Sequence, residues 1–325
     1  MKNNYFILAA YAFCEIEYPK QVVKQWHKYL EDKDAMGRVY ISDDGINVQM
    51  SIHREEYPGF EAWIRSDDRF KDIDIKIHVD CEHAFPKLTV KYREQLAALD
   101  YKIDRSLNGQ YLTPQEWKEK VANLGENRIL LDVRNDYEYD VGHFEGSIRP
   151  NMKTFREFPE FAKKLRDQYD PKETEVLMFC TGGIRCELFS PLMRELGFEK
   201  VYQLKGGVIK YGLEVGHDHW RGKLFVFDDR LVVPIDAEND EVISHCTHCN
   251  TKTDQFYNCA NMDCNELFIS CPTCAENYNG CCSTECTMAP RVRAFDAIPG
   301  RIKPYRKLSF EQKKLLNERL ESNPL

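Results

Sequence analysis

No run of 18 or more apolar residues occurs in the 325-residue chain, which excludes a membrane-spanning helix. The first ten residues, Met1 to Ala10, hold one Lys and a short apolar run but no secretory h-region. They read as a first β-strand, and a cytoplasmic location is expected. There is no flavin or NAD motif and no evident iron-binding triad, so the first candidates for chemistry are side chains. Positive charge is in deficit, with 45 Lys and Arg against 53 Asp and Glu, net −8. The deficit is uneven. Residues 287–325 carry nine Lys and Arg against four Asp and Glu, a balance of +5 that leaves −13 for the rest. An acidic body with a basic tail fits contact with a polyanion, and equally a tail that is merely solvated.

Cysteine, by contrast, is abundant, at thirteen residues. Cys14, Cys81, Cys180 and Cys186 are scattered; the other nine fall between Cys246 and Cys286. In a chain without an export signal, such density favours metal over disulfides. The spacings are Cys246-x2-Cys249, Cys259-x4-Cys264, Cys271-x2-Cys274 and Cys281-Cys282-x3-Cys286. An x2 spacing lets two thiolates bend onto one ion, and four pairs make two tetrahedral sites. Two structural zinc ions are expected on Cys246, Cys249, Cys259, Cys264, Cys271, Cys274, Cys282 and Cys286, with Cys281 able to replace Cys282. Spacing leaves open which pairs share an ion. Disulfides, a redox role and an iron–sulfur cluster are the alternatives, and His245 and His248 read as solvated neighbours.

The stretch with the sharpest chemistry is Cys180-Thr181-Gly182-Gly183-Ile184-Arg185-Cys186. Glu175 to Phe179 before it reads as a buried parallel strand, and Glu187 to Gly197 after it as a helix. A cysteine on a strand-to-helix turn sits where open α/β sheets bind ligands. Thr181, Gly182, Gly183 and Ile184 can turn their amides inward as an anion nest, and the helix N-terminus adds positive potential. Such surroundings favour thiolate, so Cys180 reads as a nucleophile and Arg185 as a partner for anionic sulfur or phosphate. Cys186 is a possible resolving thiol or a small buried hydrophobe. His143 is a weaker auxiliary candidate, equally a packing residue.

Read in order, residues 1–95 give βαββαβ, the order of a ferredoxin-like fold. A further alternating strand, Leu88 to Arg93, brings Lys87, Lys91 and Arg93 together as a basic binding edge or a charged edge that prevents aggregation. Residues 96–112 read as a linker. From Thr113-Pro114, an N-cap followed by proline at the first helical position, strands and helices alternate to 219, as in a doubly wound parallel sheet. The cysteine-rich module spans 220–290 and the basic, partly flexible tail 291–325. The fold class is therefore α/β. Asp132 and Arg134 read as a structural ion pair at a strand end.

Leu131-Asp132-Val133-Arg134, Glu138, Gly142 to Ser147, the Cys180–Arg185 loop and Leu204 to Gly207 together resemble a rhodanese domain. The C-x4-R loop is one residue shorter than the C-x5-R loop of related phosphatases, which suits a small adduct on sulfur such as a persulfide. The whole chain from about 5 to 290 resembles the bacterial oxygen-dependent tRNA uridine(34) hydroxylases. Carrying that likeness are Gly37 to Tyr40, Gly45 to Asn47, Tyr137 to Glu145, Cys180 to Glu187, Phe225 to Asp228, and Cys271 to Ser283. The resemblance implies an acylphosphatase-like N-terminal domain that contacts tRNA, a central rhodanese domain and a zinc module. It also implies an oxidoreductase that converts the wobble uridine to 5-hydroxyuridine, with O2 as co-substrate and the tRNA anticodon loop as partner. A sulfurtransferase and a zinc-binding adaptor on a rhodanese scaffold are the competing classes.

Overall fold

The computed structural model describes residues 4–97, 99 and 103–295. Its first strands alternate with a period of two, and that alternation decides which face each side chain takes. The N-terminal elements are β1 (Tyr5–Phe13), α1 (Pro19–Leu30), β2 (Ala35–Ser42), β3 (Gly45–His53), α2 (Tyr57–Arg65), β4 (Lys76–Asp80) and β5 (Leu88–Tyr92). The sheet order is β4-β1-β3-β2-β5. The first four strands are antiparallel, and β5 adds in parallel to β2. This is the ferredoxin-like arrangement extended by one edge strand. Leu8, Ala10, Val39, Ile41, Val48, Met50 and Ile52 meet Val22, Trp26, Phe60 and Ile64 in one core. Each buried Val, Leu, Ile, Phe or Met side chain among these contributes about 1.5–3 kcal/mol of burial. The alternate residues Ala9, Tyr11, Arg38, Tyr40, Asn47, Gln49, Lys76 and His78 take the opposite face, which matters below. The α2 helix starts at Tyr57, which places Pro58 in the first turn, where proline is tolerated.

On that opposite face, Ser51 Oγ lies 2.8 Å from His83 Nδ1, and His83 Nε2 lies 2.8 Å from Asp34 Oδ1. The order is that of a hydrolase triad. Ser51 also donates to the Met36 carbonyl (3.3 Å) and, unlike Asp34 and His83, is wholly buried without lining either cavity described below, so the array ties loops to the sheet.

The next elements are β6 (Gln110–Leu112), α3 (Pro114–Ala122), β7 (Arg128–Asp132), α4 (Asp136–Val141), β8 (Gly142–Phe144), α5 (Phe158–Gln168), β9 (Glu175–Phe179), α6 (Cys186–Glu195), β10 (Lys200–Leu204) and α7 (Gly207–Glu214). Strands β6-β10-β9-β7 form a wholly parallel sheet. Both faces are covered. Val176 and Met178 of β9 enter a core with Phe158 and Phe189, while Leu177 and Phe179 enter another with Trp117 and Tyr211. A strand buried on both sides must be apolar throughout, which explains the run from Val176 to Phe179. Thr113 caps α3 in a reciprocal box with Glu116. Arg134 donates to both carboxylate oxygens of Asp132 (2.9 and 2.6 Å) in a fully buried pair.

The expected linker is shorter than read. Gln110–Leu112, expected within the 96–112 linker, is a strand on the sheet edge; three residues, two of them exposed, carry no periodic signal of their own. The chain divides into two compact units between Ile243 and Ser244. Trp220–Gly222 pairs with β8, and Leu224–Phe225 forms a hairpin with Val232–Val233. Both therefore belong to the first unit. In the second unit, Phe256–Asn258 pairs with Leu267–Ile269 over a small core of Tyr257, Cys259, Phe268 and Cys281. Among the described residues no helix is long and apolar enough to cross a membrane. The basic tail expected over 291–325 lies outside the described residues from 296 onward.

Candidate active site and metal centres

Strand β9 ends at Phe179 and α6 begins at Cys186, so the loop between them projects from the carboxyl end of the parallel sheet. Its conformation depends on two glycines. Gly207 has φ +67°, and a Cβ there would lie 2.6 Å from the carbonyl oxygens of Cys180 and Thr181. Those carbonyls accept from the amides of Val208 and Ile209 (both 3.0 Å), so α7 holds the loop from behind. Gly183 has φ +99°, and a Cβ there would meet the Tyr11 hydroxyl at 2.7 Å. The Gly183 amide donates to Cys180 Sγ at 3.1 Å.

Cys180 is buried, which by itself raises a thiol pKa. A hydrogen bond from the Cys186 thiol, the Arg185 charge and the amides of Arg185 and Cys186 outweigh burial and lower it to about 5. Cys186 moves the other way. Burial and the neighbouring thiolate push its pKa well up, so it stays a thiol and a donor. This is a third role, beside the resolving thiol and the small hydrophobe considered above.

Arg185 makes a bidentate pair with Glu138 (2.6 and 2.7 Å) and donates to Thr181 Oγ1 (3.2 Å). Both ions are buried. Thr181 in turn donates to Glu138 (3.2 Å), which also accepts from the Asn135 amide (2.9 Å). The guanidinium thus has an internal carboxylate partner and influences sulfur through its field. Glu187, next to Cys186, gathers donors from Tyr11 (3.1 Å), Asn108 (3.0 Å) and Tyr111 (2.7 Å). Burial raises its pKa.

The open face of the N-terminal sheet and this loop enclose a cavity of about 590 Å³. Cys180, Thr181, Gly182, Ile184 and Arg185 line it, as do Tyr11, Arg38, Tyr40, Lys76 and Arg93. Lys153, Phe227 and Arg230 complete its cationic and aromatic wall. Lys76 is buried beside Asp74 (3.4 Å), and burial lowers its pKa. Arg38 and Arg93 have no carboxylate partner among the described residues, while Arg230 is held by Asp228 (2.7 Å). A larger depression of about 720 Å³ lies beside α1 and α2, lined by residues such as Trp26, Tyr29 and Trp63; no cysteine lines it.

Of the three expected basic residues, Arg93 reaches the cavity; Lys87 and Lys91 are exposed and do not line it. His143 also lies outside the lining. Its ring stacks on Tyr139 (3.9 Å), Nδ1 is 2.9 Å from the Tyr139 carbonyl, and burial lowers its pKa. It is a packing residue here. Sequence reasoning missed Tyr11, Arg38 and Lys76, although strand alternation already set them on the face away from the core. Glu138 was quoted without a role.

In the second unit the sulfurs gather as Cys246, Cys249, Cys271 and Cys274, and as Cys259, Cys264, Cys282 and Cys286, each set within 4.8 Å. The first pair joins the third and the second joins the fourth, so the two sites interleave along the chain. Zinc–sulfur bonds of about 2.3 Å place tetrahedral sulfurs about 3.8 Å apart. The separations are 3.7 Å for Cys249–Cys271, 3.7 Å for Cys264–Cys282 and 3.8 Å for Cys282–Cys286. The donor sets fit zinc. Cys281 is buried in the local core and stands outside both sets.

Three family models match the chain: an acylphosphatase-like domain designated UPF0176 over residues 5–96, a rhodanese-like domain over 113–213, and a rhodanese C-terminal segment over 221–287. Curated relatives match nearly end to end. A Chlamydia abortus protein is 49% identical over 311 residues, 95% of this chain and 94% of its own. A Protochlamydia amoebophila protein is 48% identical, covering 94% of each. Both carry the name tRNA uridine(34) hydroxylase. Among solved structures, a single-domain sulfurtransferase of Saccharomyces cerevisiae is 18% identical with a TM-score of 0.29, over 34% of this chain and 94% of that one.

Proposed function

The chain belongs to the tRNA uridine(34) hydroxylase family, and from that premise we propose that it hydroxylates C5 of uridine 34 in tRNA, with Cys180 as nucleophile and O2 as oxygen source. The observation that carries the reading is a low-pKa thiolate lining a largely apolar cavity into which Arg38, Lys76, Arg93 and the rings of Tyr11, Tyr40 and Phe227 are also set. Uracil C5 and C6 are inaccessible in a duplex, so the base enters splayed from the anticodon loop.

The Cys180 sulfur adds to C6. The S–C6 bond forms and the C5=C6 π pair moves onto C5 and O4 as an enolate, stabilised by the cavity's positive potential. C5 then bonds to O2, and a proton completes a C5 hydroperoxide. A thiol reductant supplies two electrons and two protons, cleaving the O–O bond to leave C5–OH and water. Loss of the C5 proton and expulsion of the thiolate restore C5=C6. Overall, uridine, O2, two electrons and two protons give 5-hydroxyuridine and water.

In this scheme Cys186 donates its S–H to the thiolate when sulfur is not bonded to carbon. Glu138 is a positioning residue that holds Arg185. Arg93 and Arg38 contact phosphates flanking the target, with Lys87 and Lys91 further along the same face. Zinc bound in the two closed four-thiolate sites supplies structural cross-links. The reaction takes place where tRNA is, in the cytoplasm.

Nucleoside mass spectrometry of tRNA from cells with and without the protein is the test, with 18O2 labelling. Loss of 5-hydroxyuridine in the deletion and in Cys180→Ser, with one 18O per modified base, is expected. Unchanged tRNA together with rapid conversion of thiosulfate to thiocyanate would replace this reading with sulfur transfer through a Cys180 persulfide.

A further inference from the structure

Phe225-Val226-Phe227-Asp228 has no step in the chemistry above, yet Val226, Phe227 and Asp228 all line the same cavity. Phe225 and Val226 are buried, whereas Phe227 is 38% exposed. Of the exposed large hydrophobic side chains among the described residues, Phe227 alone lines the Cys180 cavity. The ring is left partly uncovered at the cavity's wall, and its position is nevertheless closely held.

The turn that carries it is braced in two ways. Internally, the Asp228 carboxylate accepts from the Arg230 amide (3.0 Å) and guanidinium (2.9 and 2.7 Å), and Val226 donates to the Leu231 carbonyl (2.7 Å). From the N-terminal domain, Arg38 donates to the Phe227 carbonyl, and Ala84 accepts from the Asp229 amide (2.8 Å). The ring meets Phe225 edge to face at 5.2 Å, and Phe225 meets Tyr137 the same way at 5.1 Å. The Arg185 guanidinium lies 5.7 Å from the Phe227 centroid, so the ring stands beside the nucleophile's loop.

We propose that Phe227 is the stacking platform for the extruded pyrimidine, a positioning residue that aligns the base over Cys180. The inference rests on the tRNA reading above. A flipped base loses its neighbours in the stack, and an aromatic face replaces them. Stacking on a protein ring is worth about 5- to 150-fold in affinity per base. A pre-braced ring avoids the ordering that a mobile one would need.

The test compares wild type with Phe227→Ala, Phe227→Leu and Phe227→Trp, using an anticodon stem-loop RNA with uridine at position 34. Alanine and leucine should lower kcat/KM by about 5- to 150-fold, with Trp within a few-fold of wild type. Phe227→Trp fluorescence should be quenched by that RNA and much less by one lacking the base at position 34. Alkylation of Cys180 by iodoacetamide should be alike in all four, showing an intact loop. Leucine equal to phenylalanine, or no base-dependent quenching, overturns the stacking role while leaving hydroxylation standing. A wild-type protein that leaves the uridine unmodified overturns the reading beneath it, and the inference with it.

Discussion

Cys186→Ala should raise the pKa of Cys180 by a measurable amount. In the native protein that pKa is about 5, against an ordinary value of 9.0. The difference of about four units corresponds to roughly 5 kcal/mol favouring thiolate, net of a burial effect that opposes it. The Cys186 thiol is the largest single contributor on the favourable side. A hydrogen bond to a charged group is worth about 1.5–3 kcal/mol, or roughly one to two pKa units. The variant should therefore titrate between about 6 and 7, while Cys186→Ser, which keeps a donor, should stay near 5. The assay is the rate of Cys180 alkylation from pH 4 to 9, read on the Cys180 peptide by mass spectrometry. A midpoint that stays near 5 in the alanine variant refutes the donor role and assigns the effect to Arg185 and the loop amides. The same titration has a stability signature. Because the folded pKa is depressed, the contribution is complete above pH 9 and lost as pH falls toward 5. Denaturation free energy should fall by about 1.4 kcal/mol per pH unit across that window from this group, and Cys180→Ser should remove that slope.

Glu138→Gln removes the carboxylate facing Arg185 and leaves a buried cation uncompensated, so chemical denaturation should show a loss of about 3–5 kcal/mol. Cys281→Ser should retain two zinc ions per chain by elemental analysis, whereas Cys282→Ser should lose metal. Arg93→Ala should weaken tRNA binding and lower the slope of log affinity against log salt by about one; an unchanged slope would remove Arg93 from the phosphate contacts.

Much of this architecture was legible because local chemistry and global placement agree. The β9 strand announced itself as a short apolar run, and its burial on both faces is the reason. The glycine-rich turn placed Cys180 correctly because only a strand–turn–helix accommodates that pattern. Cysteines able to hold metal could be named from spacing, with Cys281 and Cys282 left as alternatives, but their partnership could not. Pairing the first couple with the third depends on how the hairpin between them folds. Glu138 was opaque for a different reason. Its position three residues beyond Asn135 satisfies a helix cap, and nothing local distinguishes a cap from the partner of an arginine 47 residues away. Tyr11 and Phe227 were similarly silent, since alternation names the face of a strand but not what another domain sets against it.

The interleaving of the two cysteine sets has a consequence for how the second unit comes into being. The two cysteine pairs of each set bracket one pair of the other, so an ion bound in one set would close a loop holding ligands of the second. A polypeptide that has captured one ion has already drawn the remaining sulfurs together, and the second ion finds its cage partly made. Cooperative filling is the expected outcome, with half-loaded molecules scarce at intermediate metal supply in a metal titration followed by native mass spectrometry. Metal starvation would then divide the population into assembled and unassembled modules.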